Sequence, residues 1–159
     1  MTAESHAVFM RRAIQLAQLG VDENRGGPFG CVIVKDDAII GEGCNEVTSS
    51  NDPTAHAEIV AIRKACSELG SFQLEGCTVY TSCEPCPMCL GAIYWARPSA
   101  IFIAATREDA AAAGFDDEFF YAELGKPNEQ RELMMKSLLR EESQKIFASW
   151  IAKPDKIEY

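Results

Sequence analysis

The chain has 159 residues, a length that fits one domain. Apolar residues make up 47% and charged residues 25% of it, as in an ordinary globular protein, and no stretch reaches the roughly 18 consecutive apolar residues that a membrane span needs. The formal net charge of −9 disfavours DNA or RNA as a partner, because nucleic-acid affinity rests largely on Lys and Arg side chains.

An amphipathic helix and a β-hairpin are the first predicted elements. Residues 5–20 repeat apolar side chains at helical spacing, including Val8, Phe9, Ile14, Leu16 and Leu19. Two short apolar runs, residues 31–34 and 38–43, flank a polar pair and are typical of two strands joined by a tight turn.

Helices and strands alternate in the rest of the chain. We expect a helix over residues 54–69, a strand over 77–81, a buried helix over 86–95, a strand over 100–104, and helices over 108–113 and 141–152. The last helix should bury Ile146, Phe147 and either Trp150 or Ile151. Because helices cross between the later strands, those strands should be parallel, which predicts a mixed sheet with helices on both faces.

A metal site is predicted by His56, Cys86 and Cys89, since one imidazole and two thiols suit Zn²⁺. Three protein ligands leave a fourth position for water, which distinguishes a catalytic zinc from a structural one. Glu58 is then a spare carboxylate that could carry protons between water and a substrate.

The spacing of these residues depends on two helix starts. Cys86 and Cys89 are three residues apart beside Pro85 and Pro87, so both sulfurs should lie on one face of a helix that begins there. His56 and Glu58 are only two apart and do not share a helix face, but both could lean over the open N-terminus of the helix that begins near Pro53.

The motifs H-x-E at 56–58 and P-C-x-x-C at 85–89 resemble the signature of the zinc-dependent cytidine deaminase superfamily. Flanking segments at residues 26–30, 51–58, 82–93 and 114–117 are similar to its guanine deaminase branch. The resemblance covers residues 5–159 and implies one domain over residues 1–159, with a three-layer α/β/α fold around a central mixed five-stranded sheet.

The same resemblance implies hydrolytic deamination of guanine to xanthine and ammonia with one Zn²⁺ per chain. It implies Glu58 as the catalytic residue, His56, Cys86 and Cys89 as metal ligands, and substrate contacts from Asn45, Phe29, Trp95, Asp117 and Tyr159. It also implies a homodimer in which the C-terminal segment, about residues 140–159, helps to close an active site, with exchange of this tail between subunits as one arrangement.

Several alternatives stay open at this point. The substrate could be guanosine, an aminotriazine, cytosine or tRNA adenosine, and a non-catalytic zinc-binding module is a further reading. Cys86 and Cys89 could also form a redox pair, or Cys83 could complete a closed structural zinc site. Phe29 and Trp95 could simply pack, Asn45 could form a turn, and Tyr159 could be a frayed terminus.

The cysteine content indicates a reducing compartment. Seven is an odd number, and Glu4, Arg11 and Arg12 interrupt any apolar core of a signal peptide, so we expect free thiols and a cytosolic protein. Cys31, Cys44, Cys66 and Cys77 lie in or beside apolar runs and should belong to the core. His6 should be an exposed residue of the first helix.

Overall fold

The computed structural model describes residues 2–159. Its helices are α1 Ala3–Asp22, α2 Val47–Ser50, α3 Ala57–Leu69, α4 Pro87–Ala96, α5 Arg107–Ala112, α6 Asp117–Leu124 and α7 Arg140–Ala152, and a 3₁₀ turn covers Asn128–Gln130. Its strands are β1 Gly30–Lys35, β2 Ala38–Cys44, β3 Thr78–Cys83 and β4 Ala100–Ala105. The described part contains no helix long and apolar enough to cross a membrane.

The strands form one mixed sheet in the order β2-β1-β3-β4. The hairpin strands β1 and β2 are antiparallel, β1 and β3 are antiparallel, and β3 and β4 are parallel. Asp36 and Asp37 join the hairpin with φ angles of 49° and 60°, the left-handed conformation that a two-residue turn requires. The predictions of a hairpin and a mixed sheet are confirmed.

Helices cover both faces of the sheet, as predicted. On one face α1 packs Ala13 and Leu16 against Val32, Val34 and Tyr80. On the other face a second cluster joins α3 to the strands, and its buried members are Cys31, Ile33, Ala57, Ala61, Ala65, Leu74, Cys77, Val79 and Ala96. The molecule therefore has the three-layer α/β/α architecture expected from the sequence.

Helix α3 lies unusually close to β2 because both surfaces carry small residues. A Cβ added to Gly41 would lie 2.5 Å from the Ala61 carbonyl oxygen, and one added to Gly43 would lie 2.7 Å from that of Ala57. Any larger residue at either glycine would push the helix away, since real Cβ atoms do not approach backbone oxygens so closely. This contact sets the position of the α3 N-terminus, which carries His56 and Glu58.

The predicted five-stranded sheet is wrong in strand number, because the described chain has four strands. After β4 the chain forms helices, turns and irregular segments, so no further strand pairs with the free edge of β4. Ile101, Phe102 and Ile103 on this edge strand are 37%, 39% and 44% exposed. Strand pairing depends on distant partners, which is why the local pattern could not count the strands.

Two predicted apolar faces are exposed rather than buried. Helix α4 was expected to be a buried helix, yet Tyr94 and Trp95 are 75% and 62% exposed, since only the side that carries Cys89, Ile93 and Ala96 packs on the protein. Helix α7 begins one residue before the predicted helix. Ile146 and Phe147, which were predicted to be buried, and both alternatives for the third buried residue, Trp150 and Ile151, are at least 40% exposed.

The prediction for His6 is also wrong. Its side chain is partly buried, its Nδ1 lies 2.7 Å from the Tyr80 hydroxyl, and its ring centroid lies 4.4 Å from that of Phe102. The rotation of α1 explains this, because the helix turns His6, Phe9 and Ala13 toward the sheet and leaves Val8 55% exposed. Sequence periodicity alone placed Val8 in the apolar stripe.

Residue contacts divide the chain into two compact units. The first extends to Tyr121 and contains the whole sheet, while the second is Ala122–Tyr159 and contains α7. In the second unit Arg131 donates hydrogen bonds to the carbonyl oxygens of Glu123, Leu124 and Lys126. So short a segment buries little apolar surface of its own, which accounts for the exposed side of α7.

Candidate active site

His56, Cys86 and Cys89 form the one cluster of candidate metal ligands in the described chain, with their ligand atoms all within 4.8 Å of one another. The Cys86 Sγ lies 3.5 Å from His56 Nδ1. Two atoms that bind zinc tetrahedrally at about 2.0 and 2.3 Å are themselves about 3.5 Å apart, so this spacing fits a shared ion. The donor set of one nitrogen and two sulfurs also fits Zn²⁺.

Helix starts position all three of these side chains. His56 is the N-cap of α3 and Cys86 the N-cap of α4, both in extended backbone conformation and neither with a side-chain capping bond. The predicted start of α3 at residue 54 is three residues early, because Asp52 instead binds the backbone N–H and hydroxyl of Thr54 in a turn. Two helix N-termini, each with partial positive charge, thus meet at the ligands.

The charges of this cluster favour a thiolate at Cys86 and a protonated thiol at Cys89. A hydrogen bond from Cys89, with further contributions from His56, lowers the pKa of Cys86 to about 4. The contact with Cys86 is also the main reason that the pKa of His56 is raised. The same Cys86 thiolate, together with burial, raises the pKa of Cys89, so binding of a divalent cation would have to displace the Cys89 proton.

Glu58 lies beside the cluster without joining it. The side chain is 5% exposed, and burial raises the pKa of its carboxyl group. Its Oε1 accepts a hydrogen bond of 3.3 Å from the Thr81 hydroxyl. A buried carboxyl group with a raised pKa, next to a metal site, is suited to exchanging protons near neutral pH.

Cys83 is not placed to complete a closed zinc site. Its Sγ donates a hydrogen bond of 3.3 Å to the Thr106 carbonyl oxygen, and it is absent from the ligand cluster of residues 2–159. Burial raises the pKa of the Cys83 thiol to about 11, which favours the neutral form over a metal-binding thiolate. The geometry therefore favours three protein ligands over four.

A cavity of about 250 Å³ opens at the cluster. Its walls contain six of the predicted site residues: His56, Glu58, Cys86, Phe29, Asn45 and Asp117. Pockets for drug-sized ligands start at about 300 Å³, so this cavity has the size for a single heterocycle. Phe29 forms one wall, and the Phe115 ring packs edge-on against it with 4.7 Å between the ring centroids.

Asn45 has a fixed orientation in this pocket. Its Oδ1 accepts hydrogen bonds of 3.2 Å from the backbone N–H groups of both Gly27 and Val47. These bonds occupy the acceptor, so the Nδ2 amide group is what Asn45 can offer to a ligand, as a donor. Gly26 leaves room for this arrangement, because a Cβ at that position would collide with Asn45 Oδ1 at 2.1 Å.

Asp117, the first residue of α6, provides a hydrogen-bond acceptor where Asn45 provides a donor. Burial raises the pKa of its carboxyl group, and the nearby Cys86 thiolate adds to this effect. The carboxylate lines the same cavity as Asn45. The pocket therefore presents an amide donor and a carboxylate acceptor near Phe29.

The structure does not test two of the predicted substrate contacts, Trp95 and Tyr159. Trp95 is on the exposed side of α4 and does not line the cavity. Tyr159 belongs to the C-terminal unit and is 66% exposed. Their contacts with substrate stay predictions.

Sequence reasoning missed several residues of the site. Gly27, Val47, Thr48, Glu84 and Phe115 also line the cavity. Gly27, Glu84 and Phe115 fall inside or beside the quoted motifs, so adjacency to those motifs was a usable signal. Nothing in the local pattern marked Val47, Thr48 or the buried Thr81.

Comparison with known proteins supports this geometry. Residues 3–105 match the family described as the cytidine and deoxycytidylate deaminase zinc-binding region. Guanine deaminase of Bacillus subtilis (strain 168) is 58% identical over 155 residues, covering 98% of this chain and 99% of that protein. A tRNA-specific adenosine deaminase of Buchnera aphidicola subsp. Schizaphis graminum is 31% identical over 150 residues, covering 94% and 96%.

The similarity extends to three-dimensional structure. The X-ray structure of guanine deaminase from Bacillus subtilis superposes with a TM-score of 0.94 at 57% identity. The match covers 100% of this chain and 99% of the crystallised one. The three-layer fold is thus shared over the full length of both.

Proposed function

We propose a function for this chain on the basis that it belongs to the zinc-binding family of cytidine and deoxycytidylate deaminases. It is a zinc-dependent hydrolase that converts guanine to xanthine and ammonia. One observation carries this conclusion: the chain is 58% identical, over nearly its full length, to a guanine deaminase. His56, Cys86 and Cys89 are the residues that would hold one Zn²⁺ per chain.

Glu58 is the proton carrier in this proposal. A Zn²⁺ ion held by His56, Cys86 and Cys89 would lower the pKa of a water molecule to about 7, so that hydroxide would be available at neutral pH. Glu58 takes one proton from the attacking water and delivers it to a ring nitrogen, and then takes the second proton from the same oxygen, as the new carbonyl forms, and delivers it to the departing amine. The water oxygen forms a bond to C2 of the purine, the bond from C2 to the exocyclic nitrogen breaks, and ammonia leaves.

Asn45 and Asp117 would orient the base. The Asn45 amide can donate only to an acceptor such as a ring nitrogen or the carbonyl oxygen of guanine, since its own oxygen is occupied. The Asp117 carboxylate would accept from N–H groups of the base. Phe29 offers a surface on which the flat ring could stack.

Incubation of purified, zinc-loaded protein with guanine tests the assignment. We expect stoichiometric xanthine and ammonia, measured by chromatography and an ammonia assay. Guanosine, cytosine, an aminotriazine and a tRNA with adenosine in its anticodon serve as competing substrates. Rapid turnover of any of these without turnover of guanine would contradict the assignment. If tRNA bound to the protein tightly and with a steep dependence on salt concentration, tRNA adenosine would again be a candidate substrate despite the net charge of −9.

A homodimer is the assembly that we propose. Helix α4 is apolar all round, which is typical of a helix with cover on every side, yet Met88, Tyr94 and Trp95 are 38%, 75% and 62% exposed in one chain. A second copy would cover this face and could bring Trp95 near a site.

Residues 140–159, including Tyr159, would help to close an active site in the same chain or its partner, as part of a single deaminase domain.

Replacing Tyr94 by Ala should weaken the dimer, with a dissociation constant raised on the order of tenfold or more, because truncated aromatic anchors are costly at interfaces. Sedimentation equilibrium across a range of protein concentrations measures this change. Ile39→Ala is the matched control, since Ile39 is also an exposed apolar residue but lies on β2. A parent protein that is monomeric at every concentration would reject the dimer.

We propose that the protein resides in a reducing compartment, of which the cytoplasm is the usual example. All seven cysteines are free, and Cys31, Cys44 and Cys77 are buried while Cys66 is partly buried. A site that needs the Cys86 and Cys89 thiols reduced would be lost if they formed a disulfide.

A further inference from the structure

Thr81 is a fully buried hydroxyl residue in contact with Glu58. It lies in β3, its side chain is 1% exposed, and its Oγ1 donates to Glu58 Oε1 over 3.3 Å. It does not line the cavity, so it cannot be explained as a substrate contact.

Packing alone does not account for a hydroxyl at this position. Thr81 and Val79 are two residues apart in β3 and share a face, and Cys31 is directly opposite Thr81 in β1. Val79 and Cys31 both belong to the apolar cluster beneath α3. Val would fill the same volume as Thr here, whereas a buried hydroxyl is costly unless it has a partner. The partner that the structure provides is the Glu58 carboxyl group.

The hydrogen bond from Thr81 holds a carboxyl group that solvent barely reaches. Glu58 is 5% exposed in the first turn of α3, so water is little able to keep its carboxyl group in one orientation. The Thr81 hydroxyl is a side-chain donor that lies 3.3 Å from Oε1 of this carboxyl group.

We propose that Thr81 is a positioning residue for the reaction, whose hydroxyl holds Glu58 Oε1 so that Oε2 is left to exchange protons in the pocket. This inference rests on the proposed function, in which Glu58 carries protons between water and substrate. A carboxyl group that rotates away from its productive orientation slows proton transfer but does not weaken substrate binding.

Two matched pairs of residues at position 81 test the role of the hydroxyl. Thr and Val have the same shape and differ in the hydroxyl, and Ser and Ala form a second such pair that lacks the γ-methyl group. We expect Thr81→Val to lower kcat for guanine roughly 10- to 100-fold, the range for a lost hydrogen bond to a charged group, with KM and zinc content unchanged. Thr81→Ser should retain most of the activity and Thr81→Ala should not. If the Val variant fails to fold, the Ser and Ala pair makes the same comparison.

A double variant separates positioning from other effects. Once Glu58→Gln has removed the proton carrier, adding Thr81→Val should lower kcat by little more, because both changes act on one group. Full activity of Thr81→Val, equal losses in the Ser and Ala variants, or additive losses in the double variant would each overturn the positioning role. Failure of the parent protein to deaminate guanine would instead reject the proposed function, and this inference with it.

Discussion

Replacement of Glu58 by Gln should lower kcat for guanine by a hundredfold or more while the protein keeps one Zn²⁺ per chain. Glutamine has nearly the same shape but cannot accept and return a proton, and general acid–base catalysis contributes about 10² to 10⁴ in rate. Because Glu58 lies outside the cluster of His56, Cys86 and Cys89, the metal should stay bound. Steady-state kinetics and elemental analysis of the same sample measure both quantities.

Glu68→Gln is the matched control for this experiment. Glu68 lies on the same helix, α3, but at its exposed C-terminal end, so the same chemical change should leave kcat unaltered. If Glu58→Gln retained parental activity, the proton carrier would have to be another group, and the carboxylates of Asp117 and Glu84 in the cavity would be the next to test. If it lost zinc, Glu58 would be a metal ligand rather than a proton carrier.

Replacement of Cys86 or Cys89 by Ser should remove stoichiometric zinc and abolish activity. Each variant takes one thiolate from a three-ligand site, and the alcohol that replaces it is a poor zinc ligand. The variants should also unfold at lower temperature than the zinc-loaded parent, since a ligand at 1,000 times its dissociation constant stabilises the native state by about 4 kcal/mol. Elemental analysis and thermal unfolding, with and without a chelator, measure the two effects.

Cys83→Ser distinguishes an open site from a closed one. The Cys83 Sγ donates to the Thr106 carbonyl oxygen, a bond that a serine hydroxyl can also make, so this variant should keep its zinc and its activity. Release of zinc from Cys83→Ser would mean that four protein atoms hold the ion. That result would favour the non-catalytic reading, because no position would remain for water.

The metal cluster could be predicted from sequence because its geometry is local. Cys86 and Cys89 fall on one face of a helix start by helical periodicity, and His56 and Glu58 flank the first turn of another. The meeting of the two helix starts is not local. It depends on the close packing of α3 on Gly41 and Gly43 and on the parallel pairing of β3, which leads into α4, with β4.

The roles of Asn45 and Thr81 could not be read in this way. Asn45 is fixed as a donor by Gly27, which is 18 residues away, and Thr81 meets Glu58 across 23 residues. A hydroxyl or an amide in a sequence looks the same whether its partner is water, backbone or a catalytic carboxyl group. Only the fold supplies that partner.

The sequence by itself determined the chemistry of this protein: one imidazole, two thiols and a spare carboxylate, at spacings that helix geometry brings together, and alternating helices and strands that predict a three-layer fold. The tertiary structure alone decided the number of strands, the partly buried place of His6 and the exposed faces of α4 and α7. The physical reason is that spacing within a helix is set by the covalent chain and its backbone hydrogen bonds, whereas burial and strand pairing depend on which distant surfaces come to cover a residue.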